Sequence, residues 1–326
     1  MKRDEGARGA RVKASRWCGL AIVALLNACG DSEQAAPSGV DGRAVPDDSG
    51  SFSQRVYERN FVFASLDGDS IFMVPWMMQA AEEEESVMRE AWAWLARGGA
   101  WDAFFAERWL TPPTREPARI LPHGGLRLLV RDGSAIDGIL FEEGARSLEI
   151  SLGEVVASWT GARGGSFEVL TASAYLVDQR VDGVLLDMTR ASAGSRPPGG
   201  DWAFLLSGDS ARFVLAADEE YGGDTAPMYR GWGDYGDVEL QWPDVTLDWH
   251  RTEAFPPARR DVPVEWRVRS SDRAVEGALS AVSAELQPGT GPGPLLPVRA
   301  LFEVVGQLST MEGTFPVRGI LVHERR

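Results

Sequence analysis

From Phe61 onward the chain alternates apolar and polar positions in short runs, each closed by Gly, Pro, Asp or Ser. Phe61–Leu66 and Ile71–Val74 are two such runs, joined by Asp67-Gly68-Asp69-Ser70. Asp and Gly tolerate positive φ, so this joint predicts a hairpin. Comparable runs follow at Leu126–Arg131, Gly138–Glu142, Ser147–Leu152, Gly183–Thr189, Trp202–Ser207 and Ala211–Ala216. Others lie at Asp237–Trp242, Thr246–Trp249, Val264–Ser270, Gly277–Ser283, Ala300–Gln307 and Phe315–Glu324. Turn residues recur at roughly 8–14 positions, the rhythm of an antiparallel sandwich or barrel. The pattern predicts a mainly β protein.

One stretch breaks the rhythm. Glu82–Glu85 lead into Val87, Met88, Ala91, Trp92 and Leu95, whose spacing fits one face of a helix. The glutamates would sit at the positive end of the helix dipole, and Gly98-Gly99 would stop the helix. A second helix is predicted over Trp101–Trp109, ended by Pro112-Pro113. Together they predict a helical hairpin near 82–110, inserted into the β chain.

The N-terminus has a different pattern. Six basic residues precede an apolar run from Trp17 to Asn27, which closes on Leu26-Asn27-Ala28-Cys29. That is the layout of a secretory signal, too short to be a stable membrane span. It resembles the lipobox of bacterial lipoproteins, which implies lipidation of Cys29 and a membrane partner. Gly30, not Asp, follows the cysteine, which by the same resemblance implies the outer rather than the inner membrane. Residues 30–51 are rich in Gly, Ser, Pro, Asp and Ala and read as a flexible tether. The expected organisation is a signal at 1–28, anchor and tether at 29–51, and β-rich halves at 52–180 and 181–326.

Composition adds to this picture. Cys18 and Cys29 are the two cysteines, so the exported part holds no thiol and no disulfide. The first 28 residues carry six basic and two acidic residues, so the remainder is more negative than the −15 of the whole chain. Such a surface repels nucleic acid, and none is expected as a partner. Twelve tryptophans are enough to fill a wide β interior or to line an apolar cavity in one.

Candidate chemistry is sparse. The three histidines, His123, His250 and His323, share no metal-ligand spacing, so no metal or other cofactor is expected. Asp248 and His250 lie two apart on a predicted strand and so share a face, as an oriented base or as a solvated pair. Gly-Asp-Ser occurs at 30–32, 68–70 and 208–210, but no GxSxG elbow accompanies it. Residues 218–250 gather Trp232, Tyr235, Trp242 and Trp249 with several acids. Aromatics beside carboxylates suit sugar contact or, through the acids alone, Ca²⁺; the other reading is a Gly-rich loop followed by strands with core tryptophans.

Pro263-Val264-Glu265-Trp266, and the closing strands Phe302–Gly306 and Phe315-Pro316-Val317-Arg318-Gly319 through Glu324, resemble lipocalin-like proteins of the AttH and hydroxyneurosporene synthase (carotenoid hydratase) group. Arg190, Trp202 and Phe204 match that group's Arg and W-x-F strand. The resemblance spans about 140 residues, 183 to 324. It implies a pair of lipocalin-like β barrels and an apolar or amphipathic ligand, without an activity. Three functions fit: a non-catalytic lipophile binder, a hydratase- or isomerase-type enzyme, and a structural or carbohydrate-contacting envelope protein. For the enzyme, Asp248, His250 and Glu239 are the first candidates for a cavity acid or base.

Overall fold

The computed structural model describes residues 55–68, 70–115, 122–130, 136–160, 165–176, 179–193, 200–208, 211–218, 228–236 and 238–325. Cys29 and the tether lie outside them. Residues 51–326 form one compact unit.

Nine strands make the first sheet: β1 (Arg55–Asp67), β2 (Ser70–Glu82), β3 (Val87–Arg97), β4 (Ala100–Thr111), β5 (Leu126–Val130), β6 (Ile136–Glu143), β7 (Arg146–Thr160), β8 (Ser166–Leu176) and β9 (Gln179–Ala193). Their order is β4-β3-β2-β1-β9-β8-β7-β6-β5. Eight more close into a barrel: β10 (Trp202–Ser207), β11 (Ala211–Asp218), β12 (Met228–Tyr235), β13 (Val238–Phe255), β14 (Arg260–Ser270), β15 (Val275–Pro288), β16 (Val298–Thr310) and β17 (Gly313–Arg325). Every pairing is antiparallel, and β10 returns to β17 to complete the ring. Full closure removes the exposed strand edges that invite aggregation.

The strand period of two sorts side chains into three apolar layers. Phe213, Trp242, Trp266, Phe302 and Phe315 fill the barrel interior. Trp94, Trp202, Phe204, Trp232 and Ile320 pack between the sheet and the barrel's outer wall. Phe61, Phe63, Trp76, Phe105 and Phe141 lie on the sheet's other face. The sheet curls around this third layer, so its edge strands meet: Trp109 of β4 stacks on His123 beside β5, centroids 4.5 Å apart. The tryptophans named here are core filling.

The predicted helical hairpin is instead a β-hairpin, β3 and β4, turning at Gly98-Gly99. Both faces of β3 are covered. Ala91 and Ala93 join the sheet's inner layer, while Trp94 and Ala96 face the barrel. A strand buried on both faces loses its alternation, and its apolar positions then mimic a helical stripe. Tertiary packing overrides the helix preference of Ala, Glu, Met and Leu. The Asp67–Ser70 joint is the predicted hairpin: these residues pair, and Gly68 takes φ +58°.

Two glycines are required by close approach. A Cβ on Gly231 would fall 2.6 Å from the Trp242 ring, so this position makes room for the indole. A Cβ on Gly319 would fall 2.0 Å from the Phe204 carbonyl, where β17 meets β10. Gly319→Ala is expected to cost about 1–3 kcal/mol, read as a lower urea midpoint at unchanged slope.

Candidate functional site

Polar groups gather at one end of the barrel interior. On β17, Phe315, Val317 and Leu321 face inward, and the same parity points His323 inward. Asp201 precedes β10, whose Ala203 and Leu205 also face inward. Asp201 is 3% exposed and His323 1%.

Asp201 organises the cluster. Its Oδ1 lies 2.7 Å from His323 Nδ1. Its Oδ2 accepts the indole N–H of Trp249 at 3.1 Å and of Trp266 at 3.3 Å. Its backbone N–H donates to the Tyr229 hydroxyl at 3.2 Å. Oδ1 accepts a hydrogen bond from the imidazole in the tautomer that carries its proton on Nδ1. Each hydrogen bond to a charged carboxylate contributes about 1.5–3 kcal/mol.

With Nδ1 occupied, His323 Nε2 has a free lone pair. It is buried and has no hydrogen-bond partner. Only tertiary packing holds it there, because an unmet buried acceptor costs about 1–3 kcal/mol. An imidazole fixed by a carboxylate at one nitrogen and open at the other is the geometry of a general base, or of a general acid once protonated.

Trp249 forms the outer side of this cluster. It is 40% exposed, its ring meets His323 edge-on at 5.2 Å, and the Arg325 guanidinium lies 5.0 Å from its centroid. Burial, followed by the Asp201 charge, pushes the Tyr229 hydroxyl far above its usual range. Tyr229 therefore remains a neutral O–H. Below pH ~10, the ordinary tyrosine value, this raised value has no effect on stability; above it, the unfolded chain ionises first and stability falls. Tyr229→Phe should remove that alkaline loss, measured as thermal midpoint between pH 9 and 11.

A second polar group is buried between sheet and barrel. Arg190 of β9 forks onto Glu58 of β1 at 2.9 and 3.0 Å, and Glu58 also accepts from Asn60. Arg190 and Glu58 are 4% and 1% exposed. Arg190 acts on Tyr229 through space, opposing its upward shift.

The residues read from sequence divide by strand parity. On β13, Val245, Leu247 and Trp249 face inward, so Asp248 and His250 face out. Asp248 lies 3.9 Å from Arg269, and His250 contacts Arg267 at 3.2 Å, both exposed. Glu239 is exposed and accepts from Gln241. The first candidates for a cavity acid or base thus sit on the barrel's solvent side. Trp242 and Trp232 are buried in different layers, and Tyr235 packs against Phe315 at the barrel's other end. Of that aromatic set, Trp249 alone meets the Asp201 cluster. Asp201, His323, Trp266 and Tyr229 were not singled out as site residues, although the inward parity of His323 with Phe315, Val317 and Leu321 was readable. Among the described residues, no group of three or more His, Cys, Asp or Glu side chains is placed to hold a metal.

No family model and no curated protein matches the chain. Among solved structures it is similar to CghA, at 12% identity and a TM-score of 0.47, covering 87% of this chain and 93% of that one. A second CghA structure, with Sch210972, gives 12% identity, a TM-score of 0.44 and coverage of 82% and 88%. A mutant Rh. blastica porin reaches a TM-score of 0.15 at 10% identity, covering 84% of this chain and 99% of that one.

Proposed function

We propose that this protein handles a lipophilic small molecule at the Asp201 end of its barrel and acts on it by proton transfer, as a hydratase or isomerase does. The carrying observation is the buried, partnerless His323 Nε2 with Asp201 fixing the opposite ring nitrogen. A protein that only stores a lipophile has no need to hold an oriented base in its buried interior, where an unmet polar group lowers stability. Asp201 orients the ring so that Nε2 is the open nitrogen, and stabilises the imidazolium after proton uptake. Trp249 and Trp266 hold Asp201, and Trp249 also presents an apolar wall to a ligand. The resemblance to the AttH and hydroxyneurosporene synthase group fits this reading.

We also propose that the protein is exported and lipid-anchored through Cys29, so that it meets its ligand at a bacterial envelope. Cys29→Ser should release it from membranes into the soluble fraction. Native mass spectrometry of the purified protein, followed by organic extraction, tests the binding half. A stoichiometric lipophilic adduct, reduced by Trp249→Ala, is expected. A clean apo mass under gentle conditions contradicts it.

A further inference from the structure

His323 is sealed from solvent. Asp201, Tyr229, Trp266 and His323 itself are buried, and Trp249 alone of the cluster reaches water. Its ring meets His323 edge-on at 5.2 Å and carries the exposed Arg325 guanidinium at 5.0 Å. Trp249 therefore stands between the imidazole and solvent. A ligand that reaches Nε2 from this side has to displace the indole.

The backbone that carries Trp249 is loosely held. Trp242, Val245 and Leu247 of β13 are buried, but every residue from Asp248 to Ala254 is exposed. This arm has little apolar packing of its own, which marks a segment that opens locally. Its pairing with β14 is also interrupted. Trp249 pairs with Trp266, yet the next pairs are Arg251 with Glu265 and Thr252 with Pro263. His250 on one strand and Val264 on the other are left out of the register, two bulges in opposite senses. Pro263 supplies no N–H to the ladder. The ion pair that fastens the arm to β14, Arg251 with Glu265 at 2.9 Å, is solvent-accessible, where such pairs contribute little.

Asp201 does not depend on Trp249 alone. The buried Trp266 donates to the same Oδ2 at 3.3 Å, and His323 meets Oδ1 at 2.7 Å. Outward rotation of Trp249 breaks one hydrogen bond to Asp201 and the Arg325 contact, and the carboxylate keeps its other partners. We propose that Trp249 is the gate of the His323 site. It swings out on the Asp248–Ala254 arm to admit the ligand, then returns to Asp201 and shuts out water. This rests on the reading of His323 as the reacting group and adds how that group is reached.

The test reads access to His323, not catalysis. Diethyl pyrocarbonate, which acylates unprotonated imidazole, is applied to the purified full-length protein at neutral pH, and peptide mass spectrometry follows each histidine. In wild type, His323 should react about tenfold or more slowly than the exposed His250. Trp249→Ala should raise the His323 rate about tenfold and leave that of the distant His123 unchanged. Trp249→Phe keeps most of the bulk but loses the hydrogen bond, and should fall between. Gly319→Ala weakens the barrel elsewhere and should leave the His323 rate unchanged, which separates gating from general loss of stability. Three results overturn the gate: His323 reacting as fast as His250 in wild type, a rate unaffected by Trp249→Ala, or an equal rise in Gly319→Ala. None of them touches the proton-transfer reading, which isotope incorporation decides separately.

Discussion

Asp201→Ala is expected to lower the thermal midpoint by about 10 °C, the equivalent of about 3–5 kcal/mol. The substitution leaves two indole N–H groups and the His323 ring without their shared acceptor. Asp201 and His323 are both buried, so these donors lose their acceptor away from bulk solvent. Asp201→Asn separates stability from chemistry. The amide keeps the shape and can still accept from the tryptophans, so the loss should be nearer ~1–2 kcal/mol. Its NH₂ opposes the His323 N–H, however, and drives the ring to the other tautomer. Nε2 then carries the proton, and the oriented base is lost. Differential scanning calorimetry of the two variants checks both magnitudes. Equal losses would mean that the amide does not replace the carboxylate as acceptor and that the stability difference expected here is wrong.

The second large effect lies between sheet and barrel. Arg190→Met should cost about 3–5 kcal/mol, because it leaves the Glu58 carboxylate buried without its cation. Combining it with Glu58→Leu should recover most of that loss, since replacing both members of a buried pair by apolar residues is often neutral. Urea midpoints for the two single variants and the double variant test this. If the losses of the single variants simply add, the two side chains act independently and the ion pair is not a unit.

The architecture was legible where one face of a strand meets water. Val264–Ser270 shows it: the run was predicted within β14, where buried and exposed positions alternate. It was illegible at β3, where packing on both sides removed the alternation, and at β4, an edge strand that is mostly exposed. β12 was hidden differently: Gly231 and Gly233 face inward where apolar residues are expected, because the Trp242 and Phe213 rings occupy their space. The site was missed for a related reason. Asp248 and His250 do share a face, but sequence spacing does not say which face is inside. The inward face is identified by Val245 and Leu247, which put Trp249 beside the chemistry and its two polar neighbours in solvent. Asp201 lay just outside a predicted strand, and nothing local marks it as buried. Its importance comes from contacts with residues 28 to 122 positions away.

Solvent isotope incorporation tests the central claim most directly. The extracted ligand is incubated in D₂O with wild-type protein and, separately, with His323→Gln, and each product is read by mass spectrometry. Proton transfer at Nε2 predicts that wild type places solvent deuterium on a carbon of the ligand. His323→Gln should still bind the ligand yet incorporate none. Binding by wild type without any incorporation, or equal incorporation by both proteins, would contradict a catalytic His323 and leave the barrel as a binding scaffold.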